Sequence, residues 1–183
     1  AHQTGSPDKA FQVRQNMAAV YRRQGDIETA RMHLTACLEY YEGQGLKRQQ
    51  SRSLNDLSEL DRFTGDLDRA EDGYRRALTL LESLGDQTFY IAGLNLGLIF
   101  AETGRPVEAR VQLEQCLLAL RASGLPGIEG ATQLALAHVH AQLCSIAEWR
   151  RCFDAGRKLI DDTGFVDIDI ARSTQLGGEV LLA

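Results

Sequence analysis

Apolar residues recur along this chain at helical spacing, in stretches too long for strands; Leu94, Leu96, Leu98, Ile99 and Phe100 form the densest of them. The pattern also repeats over a longer distance. Ala30, Ala70, Ala109 and Trp149 are separated by 40, 39 and 40 residues, and Gly45, Gly85, Gly124 and Gly164 keep the same steps. Gly25, Gly65 and Gly104 do so too, with Cys144 in the fourth place. Four residues after each alanine or tryptophan marker stands a large apolar residue (Leu34, Tyr74, Leu113, Phe153). Three further on stands a small one (Cys37, Ala77, Cys116, Gly156). Three registers in phase over four units mark an internal repeat, and a repeat of this length means stacked supersecondary units.

Each unit reads as two helices. The first ends at a glycine, which readily takes the left-handed conformation that closes a helix. The second starts one residue later. Asp26 and Asp66 suit N-caps, Pro106 suits a first helical turn, and Ser145-Ile-Ala-Glu148 has the form of a capping box. The pattern predicts nine helices, at about 8–24, 27–43, 46–64, 67–84, 87–103, 106–123, 127–143, 146–163 and 166–182. Such units cannot bury their apolar faces alone and stack on their neighbours. The expected organisation is one array over 1–183, with units at about 8–45, 46–85, 86–124 and 125–164 and a half unit at 165–183.

Composition narrows the function. A net charge of −5, with both signs interspersed, does not make the clustered basic face of a nucleic-acid binder. No apolar run approaches the roughly 18 residues of a membrane span, and the first residues, AHQTGSPDK, lack the apolar core of a signal peptide. The four cysteines, Cys37, Cys116, Cys144 and Cys152, show no CxxC pairing and read as reduced thiols, which implies a cytoplasmic protein. The 17 arginines against three lysines fit a bacterial source.

The spacing resembles the tetratricopeptide repeat. Its marks here are Gly93-x2-Leu96-Gly97-x2-Phe100 followed by Ala109-x3-Leu113-x2-Cys116, Met17-Ala18-x2-Tyr21 in the first unit, and Leu176-Gly177 in the fifth. Two features depart from the family pattern. Arg14, Leu54, Gly93 and Gln133 stand where a large residue opens it, and the period is about 40, as in HEAT and armadillo repeats, instead of 34. The step from the helix-A leucine position to the second small residue is nevertheless 20 in every unit (17 to 37, 57 to 77, 96 to 116, 136 to 156). That is the tetratricopeptide spacing, with the excess lying between one helix B and the next helix A. The resemblance implies an all-α fold, a right-handed superhelix of antiparallel helix pairs. It also implies a non-enzymatic module that binds a protein or an extended peptide, cut from a larger bacterial regulatory or signalling protein. A ligand- or peptide-sensing domain of a kinase, NTPase or transcription regulator is the alternative.

By that resemblance, the A helices line a groove. Its expected partner-binding residues are Asn16, Arg23, Arg52, Asn55, Asp56, Glu59, Ile91, Leu94, Asn95, Leu98, His138 and Gln175. The sixth position of each helix A reads Asn16, Asp56, Asn95, Ala135, Gln175, a broken ladder of side chains able to hydrogen-bond a peptide backbone. Ile91, Leu94 and Leu98 make either a partner pocket or a packing surface. His138, His140 and Cys144 lie within seven residues, but no second site with zinc spacing follows, so no metal, cofactor or catalytic centre is expected. The apolar end Val180–Ala183 of an unpaired helix A points to self-association through 166–182 as a further expectation.

Overall fold

The computed structural model describes residues 7–86 and 89–165, and the described residues hold eight α-helices and no strand. The chain forms two compact units, Ala1–Asp86 and Gln87–Ala183. The first contains α1 (Pro7–Arg23), α2 (Ile27–Gly43), α3 (Lys47–Phe63) and α4 (Leu67–Ser83). The second contains α5 (Tyr90–Glu102), α6 (Pro106–Ser123), α7 (Pro126–Gln142) and α8 (Ile146–Thr163). The expected ninth helix at 166–182, with Gln175, Leu176 and Gly177, lies outside the described residues. Seven of the eight observed helices end within a residue or two of the expected limits; α5 starts three residues later, at Tyr90.

The turns explain why the period is so sharp. At the end of α1, Gly25 takes φ +81°, its N–H donates to the Arg22 carbonyl, and the Asp26 N–H donates to the Tyr21 carbonyl at 3.0 Å. This pair of bonds is a Schellman motif, which satisfies carbonyls that a helix end leaves orphaned. Asp26 then opens α2, its side chain accepting from the Thr29 N–H at 3.1 Å, and Asp66 opens α4 by accepting from Arg69. One dipeptide therefore closes one helix and caps the next. Cys144 does the same job with a side chain: it sits at φ +54° and its N–H donates to the Ala141 carbonyl. A residue with a Cβ pays about 1–2 kcal/mol for that conformation.

One expected cap is corrected. Ser145 is the N-cap residue of α8 but makes no capping bond; its hydroxyl donates to the Leu143 carbonyl at 3.4 Å. Glu148, the other half of the expected box, is ion-paired with Arg151 one turn on. A charged partner within the same helix competes successfully with a backbone N–H for that carboxylate.

The repeat's small and large positions are its core. Ala30, Ala70 and Ala109 are fully buried, as are Tyr74, Leu113, Cys37, Ala77 and Cys116, with Leu34 nearly so. In the first unit, Ala18, Ala30, Leu34 and Leu60 form one cluster, with Tyr21, Ile27 and Leu57 packed against it. Burying each leucine-sized side chain contributes about 1.5–3 kcal/mol. Small residues set how closely helices approach. A Cβ at Gly97 of α5 would lie 2.6 Å from Leu113 of α6, and one at Gly156 of α8 would lie 2.9 Å from the Gly130 carbonyl of α7. In the fourth repeat Trp149 and Phe153 take the alanine and large-residue places, are half-buried, and stack with centroids 5.5 Å apart.

Candidate peptide-binding groove

In the first unit the expected groove positions of α1 and α3 come together. Gln15 is buried, and its Nε2 donates to Asp56 Oδ2 at 2.6 Å, joining the two A helices. Two turns along α1, Arg22 pairs with Glu59 of α3. Between these links lies a cleft of about 120 Å³, lined by Asn16, Ala19 and Arg52 as well as by the linking residues. Asn16 and Arg52 are exposed, and Asn55 is half-buried beside Asp56. Arg23 is exposed at the end of α1.

Electrostatics in this cleft centre on Asp56. Burial pushes its carboxyl above the usual carboxylate range, while the hydrogen bond from Gln15, the nearby Arg52 guanidinium and a hydrogen bond with Asn55 pull the other way. Asp56 is therefore an internal tie between helices. The hydrogen-bonding capacity that faces outward belongs to Asn16 and Arg52, an amide and a five-donor guanidinium.

In the second unit the same repeat positions are mostly enclosed. Ile91 is exposed at 46% and Leu94 half-buried, but Leu98 is 6% exposed, Leu134 5% and Ala135 2%. Asn95 is half-buried. His138 is 6% exposed, and burial lowers its pKa, so it is neutral at pH 7. Its Nε2 lies 3.2 Å from Gln142 Nε2, which also donates to the Ala101 carbonyl of α5. Of the expected residues, then, Asn16, Arg52, Asp56 and Glu59 meet at one cleft. Asn55 and Arg23 flank it; Ile91, Leu94, Asn95 and Leu98 lie on α5, in the second unit. His138 is enclosed in α7, and Gln175 is outside the described residues.

Burial pushes the thiols of Cys37 and Cys152 up, and Cys116 up to about 11, which keeps them protonated and unreactive. Among the described residues no group of three His, Cys, Asp or Glu side chains could hold a metal ion, and no described helix is long and apolar enough to cross a membrane. One buried polar contact escaped the sequence reading. Asp61 is 5% exposed and pairs with Arg31 of α2 at 2.6 Å. The signal was present: Asp61 shares a register place with Tyr21, Phe100 and His140, where an aromatic fills the core.

Helix pairs joined by Schellman turns, packed through a small–large–small ridge, define an α-helical repeat protein. Residues 9–83 match the family model for the tetratricopeptide repeat. The chain is similar in fold to BtubC (BKLC) from P. vanneervenii, with 19% identity over 90% of this chain and 68% of that one and a TM-score of 0.76. It also resembles the apo form of RapI, at 13% identity over 98% and 71% of the two chains and a TM-score of 0.81. A third likeness is to a putative kinesin light chain of Podosopora anserina with nearly identical TPR-like repeats (14% identity, 96% and 90% coverage, TM-score 0.72). A search of curated proteins finds no match. Residues 9–83 thus match the tetratricopeptide repeat, and the fold of the chain is similar to that of TPR-like repeat structures. Such repeats are generally protein-interaction scaffolds and typically have no enzymatic activity of their own.

Proposed function

We propose that the first unit binds an extended peptide segment of another protein along the inner face of α1 and α3. The observation that carries this reading is the open cleft between the Gln15–Asp56 and Arg22–Glu59 links, which the exposed Asn16 and Arg52 line with hydrogen-bond donors. An extended backbone offers a carbonyl and an N–H at every residue, which an asparagine amide matches on both counts. Arg52 adds a preference for a carboxylate or carbonyl near the same point. The alternative, a small-molecule sensor, fits this cleft less well, because ligand pockets usually enclose about 300–1,000 Å³. Free thiols in Cys37, Cys116, Cys144 and Cys152 support a reducing, cytoplasmic setting, and a regulatory role in a bacterial signalling protein is the context we assign.

Selection of binders from a displayed library of extended peptides tests the reading. Peptides selected on the wild-type chain should lose at least tenfold in affinity against Asn16→Ala and Arg52→Glu, and should be unaffected by Arg150→Glu on exposed α8. Selected peptides whose affinity survives both groove changes would refute it.

A further inference from the structure

The second unit holds a cavity of about 340 Å³ among α6, α7 and α8. Its floor is α7, which contributes Gln133, Leu136 and His140, at i, i+3 and i+7 on one helix face. Two of these are polar and more than nine-tenths buried: Gln133 is 5% exposed and His140 7%. Neither has its hydrogen-bonding capacity met. Among the described residues the Gln133 amide has no partner, and His140 Nδ1 is enclosed without one. A donor or acceptor buried unpaired costs free energy, which a bonding partner restores. Leu117 of α6 and Cys152 of α8, its thiol kept protonated by burial, make the walls apolar.

The first unit supplies a control. The equivalent space among α2, α3 and α4 measures about 490 Å³, so the opening itself comes with the packing. There, however, Leu54 holds the place of Gln133, and Asp61, in the place of His140, is ion-paired with Arg31 of α2. In the second unit the place of Arg31 is Arg110, which pairs with Glu114 instead. The same step in register therefore leaves His140 and Gln133 unmatched where Asp61 and Leu54 are not.

Charge sets the class of occupant. The ionic groups at the rim already have partners: Arg121 pairs with Glu129 at 3.0 Å, Arg151 with Glu148, and Glu114 with Arg110. Burial lowers the pKa of His140, so the floor is neutral at pH 7 as well. An ion entering the cavity meets no free counter-charge. Gln133 and His140 stand seven residues apart, about 10 Å along the helix axis, with Leu136 between them. We propose that this cavity binds a neutral, elongated small molecule, apolar along its length, with one polar end on the Gln133 amide and the other on the His140 imidazole. The volume lies in the range of small-molecule sites, about 300–1,000 Å³. The site is built from other helices than the peptide groove and does not depend on that reading.

The probe is a biphenyl with a phenol at one end, to suit the imidazole, and a primary carboxamide at the other, to suit Gln133. It is titrated into the full chain carrying labelled leucine methyl groups and glutamine side-chain amides. Saturable shifts at Leu117, Leu136 and the Gln133 amide are expected. Gln133→Leu and His140→Phe install residues that the repeat already holds at those places, Leu54 and Phe100, so both variants should fold, which circular dichroism checks. Each should bind the probe at least tenfold more weakly. The same biphenyl with a carboxylate in place of the carboxamide should also bind at least tenfold more weakly. Absence of saturable shifts at Leu117 and Leu136 overturns the proposal, and so does binding that both variants retain. Tighter binding of the carboxylate than of the carboxamide would overturn it as well, by making the site one for anions.

Discussion

The A helices of the two units share a repeat register and differ in almost everything else. In the first, the sixth A-helix positions are Asn16, exposed, and Asp56, tied to Gln15; in the second they are Asn95, half-buried, and Ala135, 2% exposed. Around them the first unit places Arg22, Arg52 and Glu59, and the second Leu98, Ala101 and Leu134. Register decides which residues occupy equivalent places. The chemistry at those places decides whether the face is a groove or part of a core, because charged side chains stay hydrated unless paired, whereas leucine and alanine lose nothing by burial.

The contrast can be broken most forcibly in the second unit. Gly156→Leu would drive a side chain into the Gly130 carbonyl, Leu134 and Gln133, and should destabilise that unit by about 3 kcal/mol. Trp149 on α8, the chain's single tryptophan, reports the shift in urea midpoint by fluorescence.

The units should also respond oppositely to pH. Burial raises the Asp56 carboxyl, so between its unfolded value and the higher folded one the native state holds the proton more tightly. Stability from this group is present at low pH and falls as pH rises through that window. Asp56→Asn, which keeps an acceptor for Gln15, should remove the slope. Burial lowers His138, so the unfolded chain binds its proton more tightly, and stability rises as pH climbs towards 6.5 and is complete above it. His138→Gln should reduce that rise, leaving the part that comes from His140, whose pKa burial also lowers. Denaturation midpoints of wild type and the two variants from pH 4 to 8 measure both slopes, and like signs in the two units would contradict the burial pattern.

The smallest expected effect sharpens the repeat itself. Cys144→Gly restores at the fourth turn the residue found at Gly25, Gly65 and Gly104, and should stabilise the chain by about 0.5–1 kcal/mol, relief of the left-handed strain being partly offset by the freer unfolded chain. A rise in the thermal midpoint checks it.

The turns were almost fully legible, because one local chemistry, a left-handed residue followed by a cap, fixes them without help from the rest of the molecule. Asp26 and Asp66 cap as expected, Pro106 opens α6, and even the substitution of Cys144 for glycine follows the register. Burial was less legible, since it depends on neighbours brought in by tertiary packing. Leu98 and His138 hold groove places by spacing yet are enclosed, and Asp61 occupies an aromatic slot only because Arg31 neutralises it. The Ser145 box failed for a similar reason: Glu148 had a better partner in Arg151. Which residues share a place is a one-dimensional fact, whereas which of them meet solvent is a three-dimensional one.

The central claim, that the working groove is the polar inner face of α1 and α3, is tested most directly by following side-chain amide resonances as a selected peptide is added. The Asn16 amide should shift saturably with the fraction bound while the Gln142 amide of α7 stays in place. A shift at Gln142 with Asn16 unmoved would contradict the account.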